Sequence, residues 1–124
     1  MSVLWSVRDG IVFITLIGDF EFSEIQAATL NAYADPGTRG CPVLVDGRSS
    51  LAPLSPDEAR RRGEWFGDLL ERGQAAKCAM VVGVSESRQH ILAEGIAPQG
   101  QTGLLLRSFT SFADAVTWLK ASAR

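Results

Sequence analysis

The chain has 124 residues, which suits one domain and lets about two-thirds of the unfolded surface be buried, enough for a true core. Hydrophobic residues make up 46% and charged residues 21%, ordinary proportions for a soluble globular protein. The formal net charge of -2, from 12 basic and 14 acidic residues, gives no general attraction for nucleic acid or an anionic membrane.

Val3 to Arg8 alternates in the manner of a strand, with Val3, Trp5 and Val7 on one face and Ser6 and Arg8 on the other. Asp9-Gly10 is a favoured two-residue hairpin turn. Ile11 to Ile17 follows as a second strand, antiparallel to the first and apolar on both faces apart from Thr15. Gly18-Asp19 ends it. Phe22 to Tyr33 predicts a helix, with Ser23 as N-cap and Ile25, Ala28, Thr29, Ala32 and Tyr33 on its inward face. Asp35-Pro36-Gly37 stops that helix.

Cys41-Pro42-Val43-Leu44-Val45-Asp46-Gly47-Arg48 is a short apolar run that ends in Asp-Gly-Arg. It reads as the central parallel strand, with the functional edge at its carboxyl end and Ser49 to Leu54 as a polar connector. Ser55-Pro56-Asp57-Glu58 then combines an N-cap serine, proline at the first helical position and a glutamate three residues on. This helix runs to about Arg72, with Gly73 as its stop and Ala59, Gly63, Phe66 and Leu70 inward. Trp65 and Leu69 lie beside that stripe and are expected to form an exposed apolar patch, a common mark of a partner surface.

Lys77 to Val84 is a fourth strand. Ser85 caps a weaker helix from about Glu86 to Ile96, and Pro98 to Gly103 is a flexible connector suited to act as a lid. Leu104 to Phe109 is a fifth strand. Ser111-Phe112-Ala113-Asp114 is a second capping box, opening a last helix through Ala121 with Phe112, Ala115, Val116 and Leu119 inward.

The order β-β-α-β-α-β-α-β-α predicts one α/β domain over residues 1–124, with a five-stranded mixed sheet. It is a β-hairpin followed by β-α units with right-handed parallel crossovers. Helices are expected mainly on one face. The second strand is apolar on both faces, so something must cover the open one. A second copy of the chain, giving a homodimer, is the simplest cover.

The two cysteines, Cys41 and Cys78, fall at the starts of buried strands and make no disulfide framework. A reducing compartment is expected. The N-terminal residues lack the pattern of a secretory signal, and no apolar run reaches the length of a membrane span, so a cytoplasmic protein is expected.

The hairpin, the strand ending Val43-Leu44-Val45-Asp46-Gly47-Arg48, and the closing Phe109-Thr110-Ser111-Phe112-Ala113-Asp114-Ala115-Val116-Thr117-Trp118-Leu119 resemble the SpoIIAA-like family. That group takes in STAS domains and the C-terminal lobes of CRAL-TRIO lipid carriers. The resemblance spans nearly the whole chain through pattern and order. It implies a β-α superhelix with strands side by side in sequence order. In anti-sigma-factor antagonists of this group, a phosphoacceptor serine opens the helix after the central strand, in a motif like Asp-Ser-Ser-Gly. The matching position here is Leu54-Ser55-Pro56-Asp57, which keeps a serine and lacks the other three residues. The better match is to the uncharacterised branch of the family, for which the resemblance supplies a fold and no activity.

The candidate site residues are Asp46, Arg48, Ser49, Ser50 and Ser55. Ligands of open α/β sheets bind outside the carboxyl ends of strands. Arg48 is suited to fork onto a carboxylate or phosphate, and the serines and the Ser55 helix N-terminus add donors. Alternatively, Asp46 accepts bonds from the loop and pairs with an arginine to order it. Ser55 serves as an N-cap, with a phosphosite as the alternative reading. Arg60-Arg61-Arg62 points in three directions at helical 100° steps and reads as a solvated face. His90, the one histidine, has Glu86 and Glu94 as helical neighbours and no catalytic partner in the pattern. One histidine and two separated cysteines give no metal spacing, and no cofactor is implied.

These features point to a non-enzymatic regulatory or binding module. It would use the loops after the third and fourth strands for a small anionic or amphiphilic ligand or a protein partner. The alternatives are a phospho-switch at Ser55, or a small enzyme with Asp46 as general base and Arg48 as anion anchor. A lipid carrier, by analogy with CRAL-TRIO proteins, would have little room for an acyl chain.

Overall fold

In the computed structural model, which describes residues 2–50, 55–83 and 105–121, five strands lie side by side in the order in which the chain makes them. They are β1 (Val3–Arg8), β2 (Ile11–Gly18), β3 (Val43–Ser50), β4 (Cys78–Val81) and β5 (Leu106–Phe109). β1 runs antiparallel to β2, and the remaining pairs are parallel. Three helices are described: α1 (Phe22–Tyr33), α2 (Pro56–Glu71) and α3 (Phe112–Lys120). The chain is therefore α/β with a mixed sheet and a central β3. The helix expected from Glu86 to Ile96, the connector after it, and His90 lie outside the described residues.

Local chemistry accounts for the boundaries. Asp9 and Gly10 both take positive φ, 53° and 74°, the signature of a type I′ turn that matches strand twist. The cap of α1 is Glu21, not Ser23. Phe22 already has helical backbone, so Ser23 falls inside the first turn. The Glu24 carboxylate accepts from the Glu21 N–H at 3.0 Å, half of a capping box. Ser55 Oγ accepts from the Glu58 N–H at 3.1 Å, and Ser111 Oγ accepts from the Asp114 N–H at 3.1 Å. The Lys77 ammonium donates to the carbonyls of Trp118 and Ala121, closing the C-terminus of α3, where a cation also meets the negative end of the helix dipole.

Two cores flank the sheet. On one side α1 and α2 pack over Val12, Ile14, Leu16, Val43, Val45 and Met80. On the other, Ile11, Phe13, Leu44, Ala79 and Val81 pack with Ala115 and Leu119 of α3, and Phe13 stacks on Phe112 at 5.9 Å. Two of the three described helices thus share a face, while the face expected to be open is covered by α3 over its central strands. The cause is the one visible in the strands: both faces are apolar, so both must be dried.

The inward stripe of α2 is as expected, and Leu69 joins it. Leu69 is 1% exposed, which corrects its assignment to a surface patch. Trp65 is half-buried and makes edge contacts with Phe22 and Phe66 at 6.4 and 5.0 Å. The buried positions of α2, Ala59, Gly63, Phe66, Gly67, Leu69 and Leu70, cover a broader arc than the narrow stripe that spacing alone suggests.

Phe66 is fully buried beneath α2. Phe66→Ala is expected to destabilise the fold by about 3–5 kcal/mol in urea unfolding. Leu30→Ala, at an exposed site on α1, is expected to stay within about 0.5 kcal/mol.

Candidate functional site

The carboxyl edge of the sheet is shaped by an irregularity in β3. Thr15 pairs with Asp46 and Ile17 with Ser49, so β3 carries one residue more than β2 across this step. That extra residue is a bulge, which bends a strand and re-aims its side chains. Gly47 sits in it, against the Val81 carbonyl: a Cβ there would lie 3.4 Å from that oxygen. The strand continues through Ser50, so Ser49 and Ser50, expected in a connector, extend the ladder beside Ile17 and Gly18. Residues 51–54 lie outside the described chain.

Asp46 and Arg48 form a closed unit. Arg48 donates through Nε to Asp46 Oδ1 at 2.9 Å and through Nη2 to Oδ2 at 2.8 Å. The Arg48 backbone N–H adds a third bond to Oδ1 at 3.1 Å. The guanidinium also stacks over the Phe112 ring, 4.8 Å from its centroid. This is the loop-ordering arrangement, a two-pronged fork that ties the bulge to α3. Burial pushes the Asp46 carboxyl upward, but the hydrogen bonds and charge of Arg48 outweigh it and hold the group below the usual carboxylate range. A carboxylate so held is a weak proton acceptor near neutral pH.

The other side of the same edge holds a cleft of about 350 Å³. It lies where β2 delivers the chain into α1 and β3 delivers it towards α2, so the first turns of both helices open on it. Phe20, Glu21, Phe22, Ser23 and Gln26 line it from the α1 side, and Ser55, Glu58, Arg61 and Arg62 from α2. Helix N-termini present unbonded N–H groups and a partial positive charge. Glu58 sits between the two arginines, 3.6 Å from each. Arg61 lies over the Phe22 ring at 4.9 Å and Arg62 over Phe20 at 5.4 Å. A shallower recess of about 360 Å³, lined by Phe22, Arg61, Glu64, Trp65 and Asp68, shares Phe22 and Arg61 with the cleft.

The structure therefore divides the residues that the sequence grouped together. Ser55 lines the cleft. Asp46 and Arg48 lie on the α3 side of the sheet, because alternation along β3 sends Val45 and Asp46 to opposite faces. Ser49 and Ser50 do not line the cleft.

Arg61, Arg62, Phe20 and Phe22 are the residues that reading the sequence missed. The three arginines do point apart as 100° steps require. Arg60 and Arg61 are exposed, whereas the Arg62 side chain is 12% exposed, which corrects its assignment to a solvated face. The available signal was spacing: Arg62 lies four residues before buried Phe66 and so borders the inward stripe.

Among the described residues, no group of three or more His, Cys, Asp or Glu side chains is placed to hold a metal ion. Also among these residues, no helix is long and apolar enough to cross a membrane. No protein-family model matches the sequence, and no curated protein matches it significantly.

The lowered pKa of Asp46 has a signed consequence. Its pairing contributes stability that is fully present above the unfolded Asp value, about 3.9, and lost as pH falls through the lower folded value. The difference in urea midpoint between wild type and Asp46→Asn is expected to be constant from about pH 5 to 7 and to shrink below about pH 4.

Proposed function

We propose that this chain is a non-enzymatic binding module of SpoIIAA-like type whose cleft between α1 and α2 takes a small amphiphilic anion. The observation that carries the reading is the pairing of chemistries in one concave place. Two arginines and two helix N-termini favour an anionic head. Phe20, Phe22 and, through the adjoining recess, Trp65 offer aromatic surface to an apolar portion. The position of the cleft beyond the carboxyl ends of β2 and β3 agrees with where open α/β sheets bind ligands. The sequence-ordered strands support the family resemblance.

In this reading the ligand contacts are Ser55, Arg61 and Arg62. Glu58 gives up its loose bridges as the anion enters, so it acts as a placeholder that keeps the arginines extended over the cleft. Asp46 and Arg48, with Ser49 and Ser50 on the same strand, hold the end of β3 and through it the start of α2.

Octyl phosphate and inorganic phosphate, titrated separately by calorimetry or by amide chemical shifts, test this. Octyl phosphate is expected to bind more tightly than phosphate and to perturb amides at residues 20–26 and 55–62. Arg62→Met is expected to remove a charge-assisted contact of about 1.5–3 kcal/mol, at least about tenfold in affinity. Failure of octyl phosphate to bind at millimolar concentration sinks the proposal. A phosphoryl mass on Ser55 in protein taken from its own host would replace ligand binding with a phospho-switch.

A further inference from the structure

Among the described residues no strand lies beside the outer edge of the sheet at β1, which stands first in the strand order. The direction of its backbone groups follows from one bond. The Ile17 N–H donates to the Ser2 carbonyl at 2.7 Å, which makes Ser2–Ile17 a hydrogen-bonded pair. Bonded and non-bonded pairs alternate in an antiparallel ladder. Leu4, Ser6 and Arg8 therefore bond towards β2, while the N–H and C=O groups of Val3, Trp5 and Val7 point to the open edge.

Proteins guard such edges with lysine, proline, bulges or inward charges. β1 reads Val-Leu-Trp-Ser-Val-Arg and contains none of these before its final residue. It is straight through all six pairs with β2. Three of its apolar side chains are out in water: Leu4 and Trp5 are each 45% exposed and Val7 is 40% exposed, while Val3 is buried. Covering the central strands with α3 leaves this strand as it is.

The edge also matches itself. An antiparallel two-fold axis through Trp5 sets Val3 opposite Val7 of a second copy, Trp5 opposite Trp5, and Leu4 opposite Ser6. Arg8 then lies opposite Ser2, so no like charges are opposed. The three outward-bonding residues supply about six new backbone hydrogen bonds in this register. An arbitrary peptide strand would satisfy the backbone groups, but a second copy satisfies the side-chain pattern as well.

We propose that two copies of this chain join edge to edge through antiparallel β1 strands, with the two-fold axis at Trp5, giving one sheet continuous across both. The inference is independent of the ligand cleft, which Trp5 does not line.

Sedimentation velocity and light scattering on the full chain test it, with far-UV circular dichroism as the check on folding. The wild type is expected to be a dimer that dissociates on dilution. Trp5→Lys places two cations at the axis and is expected to weaken association at least about tenfold in Kd while leaving octyl phosphate binding unchanged. Should that variant fail to fold, Trp5→Cys in a Cys41→Ser background decides the matter. Bonded antiparallel pairs hold Cα atoms about 5.5 Å apart, within disulfide range, so mild oxidation is expected to give a covalent dimer. A wild type that stays monomeric at about 100 µM, free or with a different chain on β1, overturns the proposal. So does a folded Trp5→Lys dimer of unchanged Kd, or a dimer that the cysteine variant does not cross-link.

Discussion

β3 has parallel neighbours on both sides, so its residues serve two cores at once. Val43 and Val45 face α1 and α2, while Leu44 faces α3, and all three are fully buried. A strand in that position has no place for an unpaired polar side chain, because drying one without a partner costs several times what an exposed one does. The first polar residue, Asp46, comes where the strand leaves the region flanked by β4, whose last paired residue is Val81. The polar side chains that β3 contributes therefore fall at that edge. The helices must also start there, since each parallel crossover turns back at the carboxyl end of its strand.

The bulge gives this edge its two sides. An additional residue in β3 shifts its register against β2, and the Asp46–Arg48 fork with the Phe112 ring holds the strand on the α3 side. On the far side the cleft lies between the first turns of α1 and α2. Arg62 fills part of it, reaching past Phe20 towards Gly47, and helps line a small cavity with Leu16, Val45 and Met80. A long side chain with an apolar stem and a charged head suits a position where one end must be dry and the other wet. The cleft is thus bounded by two helix starts at the carboxyl edge of a bulged strand.

Much of the fold was legible in residues. The bounds of β1 and α1 agree with expectation at both ends, because Asp9-Gly10 and Asp35-Pro36-Gly37 are strong breakers and the five inward positions of α1 keep strict spacing. Caps at Ser55 and Ser111 were legible for the same reason: the bond runs from a side chain to an amide three residues away. Less of the site was legible. Asp46, Arg48 and Ser55 are close in sequence, yet a two-residue side-chain period and an irregular strand separate them onto opposite faces. Arg62 and Phe20 are far apart in sequence and meet only through packing.

Sequence alone determined the α/β class, the central β3, and which faces of α1 and α2 turn inward, since these follow from short-range periodicity and local hydrogen bonds. Tertiary structure alone decided that α3 closes the second face and that Leu69 is core rather than surface. It also decided that the concave site belongs to Ser55, Arg61 and Arg62 rather than to the Asp-Gly-Arg end of β3. The reason is physical. Backbone preference and capping act over a few residues, whereas a cleft is the space left between elements, and its shape depends on how far each helix is carried by the strand beneath it.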